Sequence, residues 1–466
     1  MNTSRIRRHF PAISNGKRIC TDNAASTQIP KDLLELSDRL YIQYGNVHRG
    51  QYRASKETTD RFEEAYKKIA VFIGSEDWRT ILLYRGTTEA INAVMYSLMT
   101  EFEDGDNVVT TYMEHNSNYV PWYALCREIA PKFGKRIEYR VVGFDKESGE
   151  LDLEDLEEKV DRKTKIICCT GASNFLGTKP PLHVILKIAR QSDYDQPNGS
   201  QGSYLLVDGA QLVPNAPINV ESMNIDFLAW SFHKMLAPVG IGGLFVKKDI
   251  LETLRPFHYG GDMIAEGKVT VEKVEYDELP WRFTAGTPNI IGTILAGEAT
   301  ELIVELVLGK RLDGDLERQS IEKAMRAIQE YEKVLTQHLI DELESIDNVT
   351  VYGPRKASRR TTAVAFNIAG KDPFKVAEQL DDMKIESRAG CHCATLAHYY
   401  LEINPPASCR ISPYFYNTLE EMRHVTEAIR KISAESIPKY RHTKEGAYKI
   451  LKTWIESIRT FGSDAY

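Results

Sequence analysis

The chain has 466 residues, with 66 acidic against 59 basic side chains and a formal net charge of −7. This balance argues against a general role in binding nucleic acids or membrane surfaces, so we expect small molecules and proteins as partners. The length exceeds what one hydrophobic core usually organises, and it predicts two structural units that need not be contiguous in sequence.

The N-terminus is basic, and we interpret it as a solvated end. Arg5, Arg7 and Arg8 are not followed by a long apolar segment, which argues against a secretory signal and a membrane span. The seven cysteines are scattered along the chain without the dense spacing of a disulfide framework. We therefore expect a reducing, cytoplasmic location.

From about residue 65 to 250, short apolar runs alternate with segments of helical period, which predicts an α/β fold with a mostly parallel seven-stranded sheet. The predicted strands are 80–84, 107–111, 137–142, 165–170, 204–207, 227–230 and 243–246. The predicted helices are 62–73, 89–98, 182–190 and 321–343. Within the strand 165–170, Cys168 and Cys169 are expected to be buried hydrophobic residues.

After the long helix the pattern changes to strands 349–352, 362–367 and 385–388, a helix 374–381 and another helix from Leu419. This order predicts a smaller α+β domain. We expect a large domain over 20–300, a small domain made of 1–19 and 301–437, and a C-terminal helical extension over 438–466. Residues 192–203 are predicted to form a polar surface insertion.

Three elements of the predicted large domain suit a phosphorylated cofactor with a reactive aldehyde. Lys234 follows a buried strand, and packing there could keep its amine desolvated and able to form a Schiff base. Asp208 ends another buried strand, where a carboxylate can pair with a protonated pyridine nitrogen. The Gly-Thr-Thr turn containing Thr87 and Thr88 opens a helix, which favours an anion site for a phosphate.

The chain resembles the group II (SufS-like) cysteine desulfurase and selenocysteine lyase family, whose members are pyridoxal 5′-phosphate (PLP) enzymes of the class V aminotransferase superfamily. The resemblance covers most of residues 20 to 435. It rests on the motifs at 21–27, 47–50, 85–89, 113–115, 118, 120–122, 173–174, 176–178, 207–211, 233–234, 283, 285–289 and 388–394. It implies a PLP-dependent transferase of fold type I.

The resemblance also implies a role for individual residues. Lys234 would hold the cofactor as a Schiff base, Asp208 would bind the pyridine nitrogen, and His115 would stack on the ring and move protons. The remaining cofactor contacts would come from Asn174 and Gln211 near the phenolic oxygen, from Thr87, Thr88, Ser231 and His233 at the phosphate, and from Thr287 of a neighbouring subunit. A homodimer is therefore expected.

Cys393 lies in a glycine-containing loop with Arg388 close by in sequence and Arg410 further on, and cationic groups favour the thiolate that attacks sulfur. In the resemblance Cys393 accepts sulfur from L-cysteine as a persulfide, Arg410 binds the substrate carboxylate in a bidentate pair, and Arg388 and Asn174 assist. A sulfur-acceptor protein is the expected partner. A zinc site formed by Cys391, His392, Cys393 and His398 is a weaker alternative, because C-x-C lacks the usual zinc spacing.

Two positions depart from the family pattern. Phe232 stands where the family often has a small residue, and Cys391 adds a thiol two residues before the expected nucleophile. Cys391 could relay sulfur, form a regulatory disulfide with Cys393, or only fill space.

Five other functions remain open. A C–S β-lyase and a selenocysteine lyase are the nearest alternatives, followed by an amino-acid epimerase or aminotransferase. A non-catalytic sulfur-acceptor subunit is a further one, and it would not need Lys234, Asp208 and His115 together.

Overall fold

The computed structural model describes residues 1–312 and 314–435. The predicted C-terminal helical extension, 438–466, lies outside the described residues. Among the described helices, none is both long enough and apolar enough to cross a bilayer.

The N-terminal segment runs over one side of the molecule before the main sheet begins. Its elements are α1 (Thr3–Arg7), α2 (Pro11–Ser14), β1 (Ile19–Cys20), α3 (Lys31–Gln43) and α4 (Arg53–Ile73). Helix α4 ends at Gly74, whose φ of +74° places it in the left-handed region that glycine adopts without strain.

A seven-stranded sheet forms the centre of the molecule, as the sequence predicted. Its strands are β2 (Ile81–Tyr84), β3 (Asn107–Thr111), β4 (Glu138–Val142), β5 (Thr164–Thr170), β6 (Tyr204–Asp208), β7 (Phe227–Ser231) and β8 (Gly242–Val246). They lie in the order β2-β8-β7-β6-β5-β3-β4, and only β8 runs antiparallel to its two neighbours. Every residue of β3, β5, β6, β7 and β8 is buried, because helices cover both faces.

Helices follow the strands, and all but the last of them lie in the connections between strands of the sheet. They are α5 (Thr87–Leu98), α6 (Asn116–Ala124), α7 (Leu153–Lys159), α8 (Leu182–Arg190), α9 (Val220–Met223) and α10 (Lys248–Thr253). Cys168 and Cys169 are 0% and 1% exposed in β5, which confirms the prediction that they serve as core residues.

The elements after the sheet include several that the sequence pattern did not predict. A hairpin of β9 (Ile264–Val269) and β10 (Val274–Tyr276) precedes α11 (Ile290–Leu308) and α12 (Arg318–Glu344). Helix α11 is largely buried and packs on α4, and apart from Glu298, Glu301 and Glu305 its residues are apolar or small. With so few polar residues its amphipathic period is weak, which is why the pattern missed it.

The C-terminal elements build a smaller antiparallel sheet. They are β11 (Val349–Val351), β12 (Val364–Ile368), α13 (Pro373–Asp382), β13 (Ile385–Glu386), β14 (Arg388–Gly390), α14 (Thr395–Tyr400), β15 (Ser408–Ile411) and α15 (Leu419–Ala434). The sheet order is β11-β12-β15-β14. The prediction of one strand over 385–388 is wrong, because the chain changes sheets at Ser387 and β13 pairs instead with β1.

The insertion at residues 192–203 is a loop, but its side chains alternate between solvent and the interior. Tyr194 and Gln196 turn inward over Lys165, whose side chain is fully buried. The Lys165 Nζ atom lies 3.4 Å from the Tyr194 hydroxyl and 3.8 Å from the Glu101 carboxylate. The insertion therefore covers a buried charge at the amino end of β5.

Candidate active site

A cavity of about 240 Å³ opens at the carboxyl ends of the parallel strands, where the loop after β14 of the smaller sheet meets them. Such strand ends are the usual position of ligand sites in open α/β sheets. The residues that line it are Ala24, Ala25, Thr87, Thr88, His115, Ser117, Thr170, Ala172, Asn174, Asp208, Ala210, Gln211, Ser231, His233, Lys234, Arg388, His392, Cys393 and Arg410. The structure thus brings together every predicted site residue except Thr287.

Hydroxyl groups surround the N-terminus of α5 at one end of the cavity. The Thr87 backbone N–H donates to Ser231 Oγ at 2.8 Å, and the Thr87 and Ser231 hydroxyls lie 2.7 Å apart. The Thr88 hydroxyl lies 2.7 Å from that of Ser117, a residue that the sequence did not predict. These donors and the positive end of the helix dipole make this end suitable for a phosphate.

Glycine at position 242 lets β8 approach the turn before α5. A Cβ atom on Gly242 would lie 2.4 Å from the Cα of Gly86, so no larger residue fits without moving the turn. This close approach also brings Ser231, which pairs with Gly242 across the sheet, next to Thr87.

Lys234 and Asp208 face the cavity from the ends of neighbouring strands. The pKa of Lys234 is lowered to about 8. Burial is the largest cause, the positive charges of Arg410 and Arg388 also lower this pKa, and the negative charge of Asp208 raises it. Burial raises the pKa of Asp208, while a hydrogen bond from the Ala210 N–H lowers it. A cationic ring nitrogen beside Asp208 would compensate its buried charge.

His115 caps α6, and its Nδ1 accepts a hydrogen bond from the Ser117 N–H at 3.1 Å. Because Nδ1 accepts, the proton of the neutral ring lies on Nε2. Burial, with the positive charges of Lys234, Arg410 and Arg388, lowers the pKa of His115 to about 4. His115 is therefore a neutral imidazole near pH 7, and its Nε2–H can donate a hydrogen bond.

The loop that carries Cys393 is tied to the large sheet by its backbone. The Cys393 carbonyl accepts from the Asn116 N–H at 2.7 Å, and the His392 carbonyl accepts from Asn174 Nδ2 at 2.5 Å. His392 and Cys393 both have positive φ, +53° and +54°. The surrounding hydrogen bonds thus hold the loop in a conformation that non-glycine residues rarely adopt.

Arg388 on β14 and Arg410 on β15 are paired across the smaller sheet. Both side chains approach Asp22. Arg410 donates to Asp22 Oδ1 at 2.8 Å and to the Asn174 carbonyl at 3.0 Å, whereas Arg388 lies 3.9 Å from the Asp22 carboxylate. The Arg410 Nε is buried without a partner among the described residues. A carboxylate entering the cavity would compete with Asp22 for this cation.

Several contacts in and around the cavity could not be found from the sequence. Asp22 belongs to the motif at 21–27, but nothing in the sequence indicates that it pairs with Arg410, which is 388 residues away. His392 and His398 both place Nε2 about 3 Å from the Ser408 hydroxyl. Thr287 is exposed and does not line the cavity of its own chain.

The residues present fit PLP. Buried hydroxyls at a helix N-terminus suit its phosphate, Asp208 suits its ring nitrogen, and Lys234 suits its aldehyde. The Asn174 side-chain oxygen, which is buried at the cavity, has no hydrogen-bond partner among the described residues. A polar ligand group would supply the partner that this atom lacks.

Comparisons with known proteins agree with this chemistry. The family model described as aminotransferase class-V matches residues 19–425. A cysteine desulfurase from Escherichia coli O8 (strain IAI1) is 35% identical over 438 residues, which cover 92% of this chain and 98% of the relative.

Solved structures show the same likeness. The apo cysteine desulfurase from Thermococcus onnurineus NA1 has a TM-score of 0.79 and 32% identity, over 92% of this chain and 97% of that one. The cysteine desulfurase CsdA from Escherichia coli, in an S-sulfonic acid form, has a TM-score of 0.78 and 27% identity, over 92% of this chain and 98% of that one.

Proposed function

The chain belongs to the aminotransferase class-V family, and from this premise we propose that it is a cysteine desulfurase of the group II (SufS-like) type. It converts L-cysteine to L-alanine, with PLP as its cofactor, and transfers the sulfur to Cys393 as a persulfide. The observation that carries the proposal is that one cavity contains both Lys234 with Asp208 and a cysteine, Cys393, flanked by two arginines.

The cofactor would be held by residues of the large sheet. Thr87, Thr88, Ser231 and His233 would bind the phosphate, Asp208 the ring nitrogen, and Asn174 and Gln211 the side of the phenolic oxygen, with His115 against the ring. When bound, PLP withdraws electrons from the amino acid attached to it, so that its Cα proton becomes acidic.

The chain's own groups then bind the substrate and move protons. Arg410, assisted by Arg388, binds the substrate carboxylate, and Lys234 takes the Cα proton at Nζ because burial keeps its pKa near 8. His115 donates a hydrogen bond from its Nε2–H to the substrate, since Nδ1 accepts from the Ser117 N–H. The Cys393 thiolate accepts the substrate sulfur, and alanine leaves.

A homodimer would complete the site. Thr287 is exposed on a loop beside the β9–β10 hairpin, whose tip residue Val271 is 99% exposed. An exposed hairpin that carries exposed apolar side chains such as Val269 and Val271, next to an exposed candidate cofactor ligand, supports contact with a second copy of the chain. A sulfur-acceptor protein is proposed as the further partner, and the cytoplasmic location remains a prediction.

The nearest alternative is a C–S β-lyase on the same fold, which would release pyruvate and would not need Cys393. The test is anaerobic turnover of PLP-loaded protein with L-cysteine and a thiol reductant, with alanine, sulfide and pyruvate measured together. We expect equal alanine and sulfide from the parent and none from Cys393→Ala, while a Cys126→Ser control keeps its activity. Pyruvate as the product, or full activity of Cys393→Ala, would overturn the proposal.

A further inference from the structure

Cys391 and Cys393 occupy the first and third positions of a closed turn. The Ala394 N–H donates to the Cys391 carbonyl at 2.8 Å, and both central residues have positive φ, as in a type I′ turn. Such a turn keeps Cα atoms two residues apart at about 5 to 6 Å, within the range of about 4.4 to 6.8 Å that permits a bond between two cysteine sulfurs. The Cα separation in this turn is therefore one that permits a bond between the sulfurs of Cys391 and Cys393.

The two thiols differ in where they lie. Cys393 lines the cavity with Lys234 and Arg410, whereas Cys391 is partly exposed but is not among the cavity residues. Cys391 directly follows β14, an edge strand of the smaller sheet. The other five cysteines, Cys20, Cys126, Cys168, Cys169 and Cys409, are at most 3% exposed. Cys391 is thus the accessible thiol next to the nucleophile but outside the cavity.

Cys393 cannot easily leave the cavity to deliver sulfur. Its carbonyl is bound by the Asn116 N–H, the His392 carbonyl is bound by Asn174, and the His392 ring lies 3.1 Å from the Ser408 hydroxyl. Moving the nucleophile outward would break these contacts. Two of them are made by Asn116 and Asn174, which lie in segments that follow β3 and β5 of the large sheet. Passing the sulfur to a neighbouring thiol would break none of them.

We propose that Cys391 is a second sulfur carrier, which takes the sulfur from Cys393 and presents it outside the cavity to an acceptor. The Cys391 thiolate attacks the outer sulfur of the Cys393 persulfide. A new S–S bond forms at Cys391, the S–S bond at Cys393 breaks, and its electron pair remains on Cys393 as a thiolate. The proton of the persulfide stays with the transferred sulfur or exchanges with solvent. No oxidant or reductant is consumed.

This inference rests on the proposed function, because Cys393 must first receive sulfur. It predicts that one protomer stores two sulfurs when no acceptor is present, since transfer to Cys391 frees Cys393 for a second turnover. A protomer with Cys393 alone would stop after one turnover. The number of alanines formed before the reaction stops therefore counts the carriers.

The experiment mixes PLP-loaded protein with a small excess of L-cysteine anaerobically and without added reductant, counts the alanine of the fast first phase, before free cysteine thiol removes persulfide, and maps alkylated persulfides by peptide mass spectrometry. We expect about two alanines per protomer for the parent and for Cys126→Ser, and about one for Cys391→Ser and Cys391→Ala. Persulfide should lie on both cysteines of the parent and only on Cys393 in the two variants. With a thiol reductant present, all four proteins should form alanine at similar rates.

Three results would overturn the relay while leaving desulfuration intact. These are equal alanine counts in the parent and the Cys391 variants, both sulfurs found on Cys393, and a Cys391–Cys393 disulfide formed with release of one sulfide. Pyruvate without alanine from the parent would instead overturn the proposed function, and the relay with it.

Discussion

Replacing Asp208 by Asn should lower the pKa of Lys234 further in the cofactor-free protein. Burial is the largest cause that lowers this pKa from the ordinary lysine value, the charges of Arg410 and Arg388 lower it further, and the charge of Asp208 raises it, with a result of about 8. Two unit charges 6 to 10 Å apart interact by about 2 to 3 kcal/mol at an effective dielectric constant of about 20, which corresponds to about one to two pKa units. The sign is fixed, because removing an anion disfavours the ammonium form.

The assay is competitive acylation of the cofactor-free protein over a range of pH, with the extent of labelling at Lys234 read from peptide masses. The parent should show a midpoint near pH 8, and Asp208→Asn a midpoint about one to two units lower. Exposed lysines such as Lys375 serve as internal references. Asp226→Asn is the matched control, because this buried carboxylate precedes β7 at the opposite end of the sheet. An unchanged or higher midpoint in Asp208→Asn would refute the reasoning.

Two further substitutions test the geometry of the cavity. Arg410→Lys should raise KM for L-cysteine about tenfold to a hundredfold, because one ammonium cannot replace a planar guanidinium that also contacts Asp22 and Asn174. Steady-state kinetics measure this change, and an unchanged KM would contradict the prediction. Gly242→Ala should cost about 1 to 3 kcal/mol of unfolding free energy and weaken PLP binding, because the new Cβ meets Gly86. Chemical denaturation and PLP titration measure both effects, and parent-like values would show that the turn can move freely.

Much of the central sheet could be predicted from the sequence because its strands are buried on both faces. A continuous apolar run ending in Asp208 or preceding Lys234 marks such a strand and also marks the edge at which the site forms. The same reasoning fails for an element that is exposed along most of its length and for one that is buried along most of its length. The exposed β9–β10 hairpin has no buried apolar face to detect, and α11 has only three glutamates among otherwise apolar or small residues.

The contacts that complete the site could not be predicted because they join distant segments. Asp22 and Arg410 meet only after both sheets have formed. The same holds for the bond from Asn116 to the Cys393 carbonyl. The split at Ser387 has a similar cause, since which sheet a short strand joins depends on the available edges and not on its own residues.

Because the site is divided between two sheets, binding of PLP and acceptance of sulfur depend on different parts of the molecule. Most of the groups suited to PLP, including Lys234 and Asp208, follow strands of the large sheet, while Cys393 arrives on the loop after β14. The colour of bound PLP would therefore report that the groups of the large sheet are in place, and only sulfur bound at Cys393 would report that the loop after β14 is in place as well.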